Sequence, residues 1–291
     1  MKKYIKILII LTLCFAVSAA AAFAAFEFGS RLHRGGKETT EPKVTDISGR
    51  VIPNHTDVAK SALSPDGFVR DERGRIKYSD STVSTYTGID VSVFQGDIDW
   101  DAVKNDGIDF VMLRAGFRGY GTKGIMGEDA NFHKNYEGAK KAGLKVGVYF
   151  FSQALNETEA REEAEFVLNA IKEYPIDYPV AFDWEFVRND EARTNGMSSE
   201  SVTACAKAFC EVIAQAGYTP LIYFNCETGY FNYDLSLVKD IGFWLAEYYD
   251  TPSFYYNYKM WQYTKTGTVA GINGAVDLNI SVVDFSGSAV G

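Results

Sequence analysis

The sequence predicts a β/α barrel of about eight strands, and three observations carry that prediction. From residue 87 onward, strand-like and helix-like segments alternate through five strands, which implies a parallel sheet. Three further strand-like segments follow with mostly short loops, so helical cover thins toward the C-terminal end. Neither a GxGxxG turn nor a phosphate-binding loop favours the competing doubly wound open sheet. The 291 residues, 46% of them hydrophobic, suffice for one sizeable core and not for several large domains.

The chain opens differently. Lys2, Lys3 and Lys6 precede residues 7–26, an uncharged apolar run. Such a run spans a bilayer as a helix, and the lysines favour a cytoplasmic N-terminus. Residues 1–28 therefore read as an uncleaved signal anchor, favoured by the length of the run. The alternative is a signal peptide cleaved after the small-x-small Ala22-Phe23-Ala24. Either version exports the rest. Residues 29–64 are polar and aperiodic and read as a linker. Residues 65–85 hold a small hairpin, FVRDERGRIKY, read as an edge cover for the barrel expected over 86–287.

Within the barrel, TGIDVSV is the first strand, DWDAVKNDG a short helix and DFVMLRAG the second strand. Residues 131–142 form a helix stopped by Gly143, and KVGVYFF is the third strand. Asn156 caps the next helix, with Glu159 completing a capping box. Its core face is Ala160, Ala164, Val167, Leu168 and Ile171. PVAFDWE is the fourth strand. Ser198 starts a helix with an apolar face from Val202 to Ala216, ended by Gly217. TPLIYFN is the fifth strand, and GFWLAEY, KMWQYT and GAVDLNIS follow.

Strand alternation places Asp183 and Glu185 on one face and Trp184 on the other. Alone, that pair reads equally as a solvated strand end or a helix cap. Active sites of barrels lie where parallel strands end, however, and Asp90 ends the first strand while the last carries Asp277. Glu247 follows the sixth strand with uncertain direction. Like charges gathered at one mouth raise one another's pKa, an arrangement expected where protons are transferred. Tyr149, Tyr223, Trp244, Tyr248 and Trp261 lie at or near strand ends, and Gln262 offers an amide. Aromatic faces beside carboxylates suit a sugar. Two carboxylates bracketing a bond are the machinery of glycoside hydrolysis, and glutamate has the longer reach. Glu185 is therefore assigned as proton donor and Asp183 as its charged partner.

Other chemistries fit less well. The net charge of −9 argues against nucleic acid. His33 and His55 lie in the tail or linker and His133 on a helix, so neither a metal site nor a Ser–His–Asp triad is expected. Cys205, Cys210 and Cys226 have no metal-type spacing and read as buried thiols. No cofactor is expected.

The ordered set GIDVSVFQGDIDW, DFVMLRAG, VGVYFF, PVAFDWE, FWLAEY, MWQYT and VDLN resembles glycoside hydrolase family 25, lysozymes of the Chalaropsis type. The resemblance runs over residues 86–285. It implies a TIM-like barrel of five helices and eight strands. It also implies an N-acetylmuramidase that hydrolyses the β-1,4 bond between N-acetylmuramic acid and N-acetylglucosamine in peptidoglycan, for cell-wall turnover or lysis. Carried over by position, the catalytic set is Glu185, Asp183, Asp90 and Asp277. The substrate-binding set is Tyr149, Trp244, Tyr248, Trp261 and Gln262. Partners expected are peptidoglycan glycan strands and, through the N-terminal apolar segment, a membrane. Two alternatives stay open: a chitinase-like glycosidase, which matches less well because Ala181 stands where its pattern has an aspartate, and a non-catalytic wall-binding barrel.

Overall fold

A computed structural model describes residues 42–285. Eight strands close into a barrel: β5 (Tyr86–Val91), β6 (Phe110–Arg118), β8 (Lys145–Ser152), β9 (Val180–Trp184), β10 (Pro220–Asn225), β11 (Gly242–Ala246), β12 (Met260–Gly267) and β13 (Val276–Ser281). A short β7 (Met126–Glu128) adds to the edge of β6. Five α-helices are described: α1 (Trp100–Asn105), α2 (Phe132–Lys141), α3 (Glu157–Ile171), α4 (Ser199–Gln215) and α5 (Cys226–Phe231).

The all-parallel sheet expected from the β/α alternation needs one correction. β13 runs antiparallel to both β12 and β5. The reason is local: β12 and β13 are joined by a loop with no helix, and antiparallel neighbours need only a hairpin whereas parallel ones need a crossover. β13 therefore starts, rather than ends, at the mouth where the parallel strands finish.

Two apolar layers hold the barrel. Inside lie Phe110, Met112, Tyr178, Leu221 and Met260, and outside, beneath the helices, lie Val111, Leu113, Val180, Phe182 and Ile222. This is strand alternation repeated around the ring. Two glycines make room for the inner layer. A Cβ at Gly88 would lie 2.2 Å from the Phe110 ring, and one at Gly147 2.6 Å from Met112 Sδ. The helix ends follow local chemistry. Asn156 accepts from Glu159 N, but the reciprocal bond of the expected capping box goes elsewhere: Glu159 Oε2 accepts from Leu155 N. Ser198 caps α4, accepting from Ser201 N.

The region before the barrel is more structured than a linker. β1 (Lys43–Thr45) and β2 (Val51–Pro53) pair as an antiparallel ribbon. Tyr256 Oη donates to Pro53 O at 2.7 Å and accepts from His55 N at 2.8 Å. The polar composition of 43–64 reflects a solvent-facing ribbon with Ile52 and Val58 turned inward and buried. The hairpin of β3 (Phe68–Arg70) and β4 (Ile76–Tyr78) forms as expected and packs Phe68 edge-on against Trp261. The apolar run at 7–26 and the first part of the linker, to residue 41, lie outside the described residues. No helix among the described residues is long and apolar enough to cross a membrane.

Candidate active site

The alternation that fills the barrel also sets its mouth. On β9, Val180, Phe182 and Trp184 face the helices, so Ala181, Asp183 and then Glu185 face inward. Asp90 and Asp277 are direct cross-strand partners on β5 and β13. Opposed residues in an antiparallel pair hold their Cβ atoms about 5 Å apart. All four acids line one cleft of about 410 Å³.

Their electrostatics follow from burial and company. Asp90 is pushed up to about 8, first by burial and then by Asp277. Hydrogen bonds from Asn279 Nδ2, 2.7 Å, and Gln262 Nε2, 2.9 Å, to its Oδ2 oppose the rise. Burial lifts Asp277 to about 6. Burial also raises Asp183 well above the usual carboxylate range, reinforced by Glu185 and Asp90. Glu185 rises through burial and Asp277. Two buried carboxyls this near in the chain and on one face titrate as a pair. Asp183 Oδ1 is buried and finds no N–H or O–H donor among the described residues.

Gln262 is the hub of the polar network. Its Oε1 accepts from Tyr223 Oη at 3.0 Å and Tyr248 Oη at 2.8 Å, which fixes its amide orientation so that Nε2 points at Asp90. Asn279 is fixed in the same way: Trp244 Nε1 donates to its Oδ1 at 2.8 Å. Tyr149 and Trp244 meet edge to face, 6.2 Å between centroids. Of the residues expected at the site, Asp90, Asp183, Glu185, Asp277, Tyr149, Trp244, Tyr248 and Gln262 all line the cleft, as does Tyr223.

Trp261 does not. Its neighbour Gln262 faces inward, so alternation turns Trp261 outward. There it is fully buried, packed on Phe68 and donating Nε1 to Glu247 O at 2.7 Å. Glu247 likewise turns away from the mouth and accepts from Ser253 N at 2.7 Å, a bond that ties down the loop after β11.

Sequence reasoning missed Arg114, Lys265 and Asn279. Arg114 lines the cleft and pairs with fully buried Asp129, Nη2 to Oδ2 at 2.7 Å. Its charge pulls Asp183 back down. The signal was available: Phe110 and Met112 face inward, so Arg114 continues that face. A bulge between Arg114 and Gly116 shifts the register just after it. Lys265 lies at the open rim and holds back both Glu185 and Asp277. Cys205, Cys210 and Cys226 are free and buried, as expected.

Comparison with known proteins fits this geometry. The model of Glycosyl hydrolases family 25 matches residues 89–272. The chain is 32% identical over 194 residues to the autolytic lysozyme of Clostridium acetobutylicum, covering 66% of this chain and 54% of that protein. It is 29% identical over 218 residues to lysozyme M1 of Streptomyces globisporus, covering 69% and 68%. Its fold superposes, at a TM-score of 0.61 and 24% identity, on the modular autolysin LytC of Streptococcus pneumoniae in complex with a synthetic peptidoglycan ligand, covering 82% of this chain and 56% of that one. The chain thus spans about half the length of the first relative and of the autolysin.

Proposed function

The chain belongs to glycosyl hydrolases family 25, and we propose that it is a lysozyme that hydrolyses the β-1,4 bond after N-acetylmuramic acid in peptidoglycan. The observation that carries this reading is the Asp183–Glu185 pair, two carboxyls raised by burial on one face at the end of β9, in a cleft lined with aromatic rings. The lysozymes among its relatives, and the peptidoglycan ligand bound to the structural neighbour, support the substrate class.

In this reading Glu185 is the general acid. A sugar acetamido N–H donated to Asp183 favours the ionised form of that carboxyl, and Glu185 carries the proton. Glu185 then gives it to the glycosidic oxygen as the bond to the anomeric carbon breaks. Asp183 orients the substrate's own N-acetyl oxygen as nucleophile, as the family resemblance implies. Asp277 stabilises the developing positive charge, Asp90 anchors the amides of Gln262 and Asn279, and Gln262, Tyr149, Trp244 and Tyr248 hold the sugar.

Action outside the cytoplasm accords with this substrate. The apolar run at 7–26 is proposed as a single membrane anchor, with cleavage as its alternative. Washing of membranes with carbonate followed by immunoblotting separates an anchored chain from a released one.

The direct test is digestion of purified peptidoglycan, borohydride reduction and mass spectrometry of the ends. Reduced muramic acid ends are expected. Reduced glucosamine ends would reassign the bond, and an absence of fragments from the folded protein would favour a wall-binding role.

A further inference from the structure

A second groove, about 640 Å³, continues from the acid cleft toward the β3–β4 hairpin. Tyr248 and Lys265 line both spaces, so the two form one path. The groove differs in charge from the cleft. Arg70 and Arg73 enter from the hairpin and Lys265 from β12, against one acid, Asp250. In a chain with a net charge of −9, three cations beside a four-carboxylate mouth are a local inversion.

The guanidiniums are held in place and keep spare donors. Arg70 Nε binds Asp250 Oδ1 at 2.9 Å and its Nη1 binds Gly74 O at 2.8 Å. Arg73 Nη1 binds Asp106 O at 2.9 Å and pairs with Asp106 Oδ1 at 3.2 Å. The Nη2 of each makes no hydrogen bond to protein among the described residues. Tyr248 and Tyr249 expose 44% and 66% of their surface along the groove. The hairpin lies outside residues 89–272, the stretch matched by the family model.

A neutral sugar needs no cations, whereas a carboxylate does. Muramic acid carries its peptide on a lactyl ether, and such peptides end in carboxylates. We propose that the groove binds the stem peptide of the strand being cut, with a peptide carboxylate on Arg70, Arg73 and Lys265 and the peptide laid against Tyr248 and Tyr249. This rests on the peptidoglycan reading above and names a determinant of specificity within it.

The test compares two substrates, both freed of anionic wall polymers by acid extraction. One is glycan strands with stems intact, and the other is the same strands stripped of stems by an amidase. Wild-type enzyme is expected to cut both and to prefer the stem-bearing strands. The double variant Arg70→Gln/Arg73→Gln is expected to lose roughly 5-fold in kcat/KM on stem-bearing strands, through KM, the scale of two partly exposed charge contacts. On stripped strands it should match wild type. Replacing both by lysine should restore part of the preference, which a folding defect would not allow. Equal wild-type rates on both substrates, or equal losses of the variant on both, would overturn the proposal. So would a loss that appears only on walls still bearing anionic polymer, which would assign the groove to that polymer. Failure of wild type to cut either substrate would instead bring down the muramidase reading itself.

Discussion

Two groups of buried acids in this protein have opposite solutions to the same problem. Glu163 on α3 is fully buried, and burial pushes its carboxyl up to about 7. It is met by a buried cation: Arg118 Nε binds its Oε1 at 2.7 Å, while Ser152 Oγ donates to Oε2 at 2.6 Å. The acids of the mouth face one another instead. Their cations, Arg114 and Lys265, are committed to Asp129 or stand at the rim. A buried carboxylate matched to a cation is architecture; carboxyls that raise one another's pKa are poised to move protons.

This contrast can be broken by mutation, and the largest effect should come from Glu185→Gln. Its rate should fall by about 10² to 10⁴, the usual worth of a general acid, with no loss of thermal stability. Near-wild-type turnover on peptidoglycan would sink the assignment. Glu163→Gln should do the reverse. Leaving Arg118 short of its buried partner should cost about 3 kcal/mol of folding free energy in denaturant titration, while kcat of the folded enzyme stays within a few-fold. A large fall in kcat with intact stability would place Glu163 in the chemistry and erase the distinction.

Smaller effects sharpen the comparison through pH. Asp90 is raised in the folded state, so the stability it contributes is present below pH 4 and is lost as pH rises through about 8. Asp90→Asn does not ionise and keeps an acceptor for Gln262 and Asn279. Its melting temperature should match wild type near pH 4 and exceed it at pH 8 by roughly 3–6 °C, or about 1–2 kcal/mol. A gap that shrinks as pH rises would contradict the assignment. Finally, Asp277 raises Glu185. Asp277→Asn should therefore shift the alkaline limb of kcat/KM to lower pH, by about half a unit. A shift to higher pH would mean that Asp277 is not facing the proton donor as an anion.

Much of this was legible in the chain. The period of two along β9 places Asp183 and Glu185 together, and the order of β and α segments predicts the barrel. Three things were not legible. The direction of β13 depends on a loop that joins it to β12 without a helix, and no residue within the strand encodes it. Trp261 reads as a site residue from its place near a strand end and from the family's WQY motif, yet it and Gln262 face opposite ways, and the same alternation applied from Phe110 finds Arg114. The β1–β2 ribbon is polar and short, so it has the composition of a linker; its cross-strand pairing and the bond from Tyr256 to Pro53 O distinguish it.

The closure of the barrel by β13 also gives the site a birth order. Asp90 belongs to the first strand of the barrel and Asp277 to the last, and the two become neighbours only when the ring closes. Asn279, which holds Asp90 by a hydrogen bond, arrives on the same final strand. Contacts that distant in sequence are the slowest to form. A growing or threading chain can therefore carry Asp183 and Glu185 on a half-built sheet without the quartet existing at all. β13 is the strand that completes the mouth, bringing Asp277 and Asn279 to Asp90.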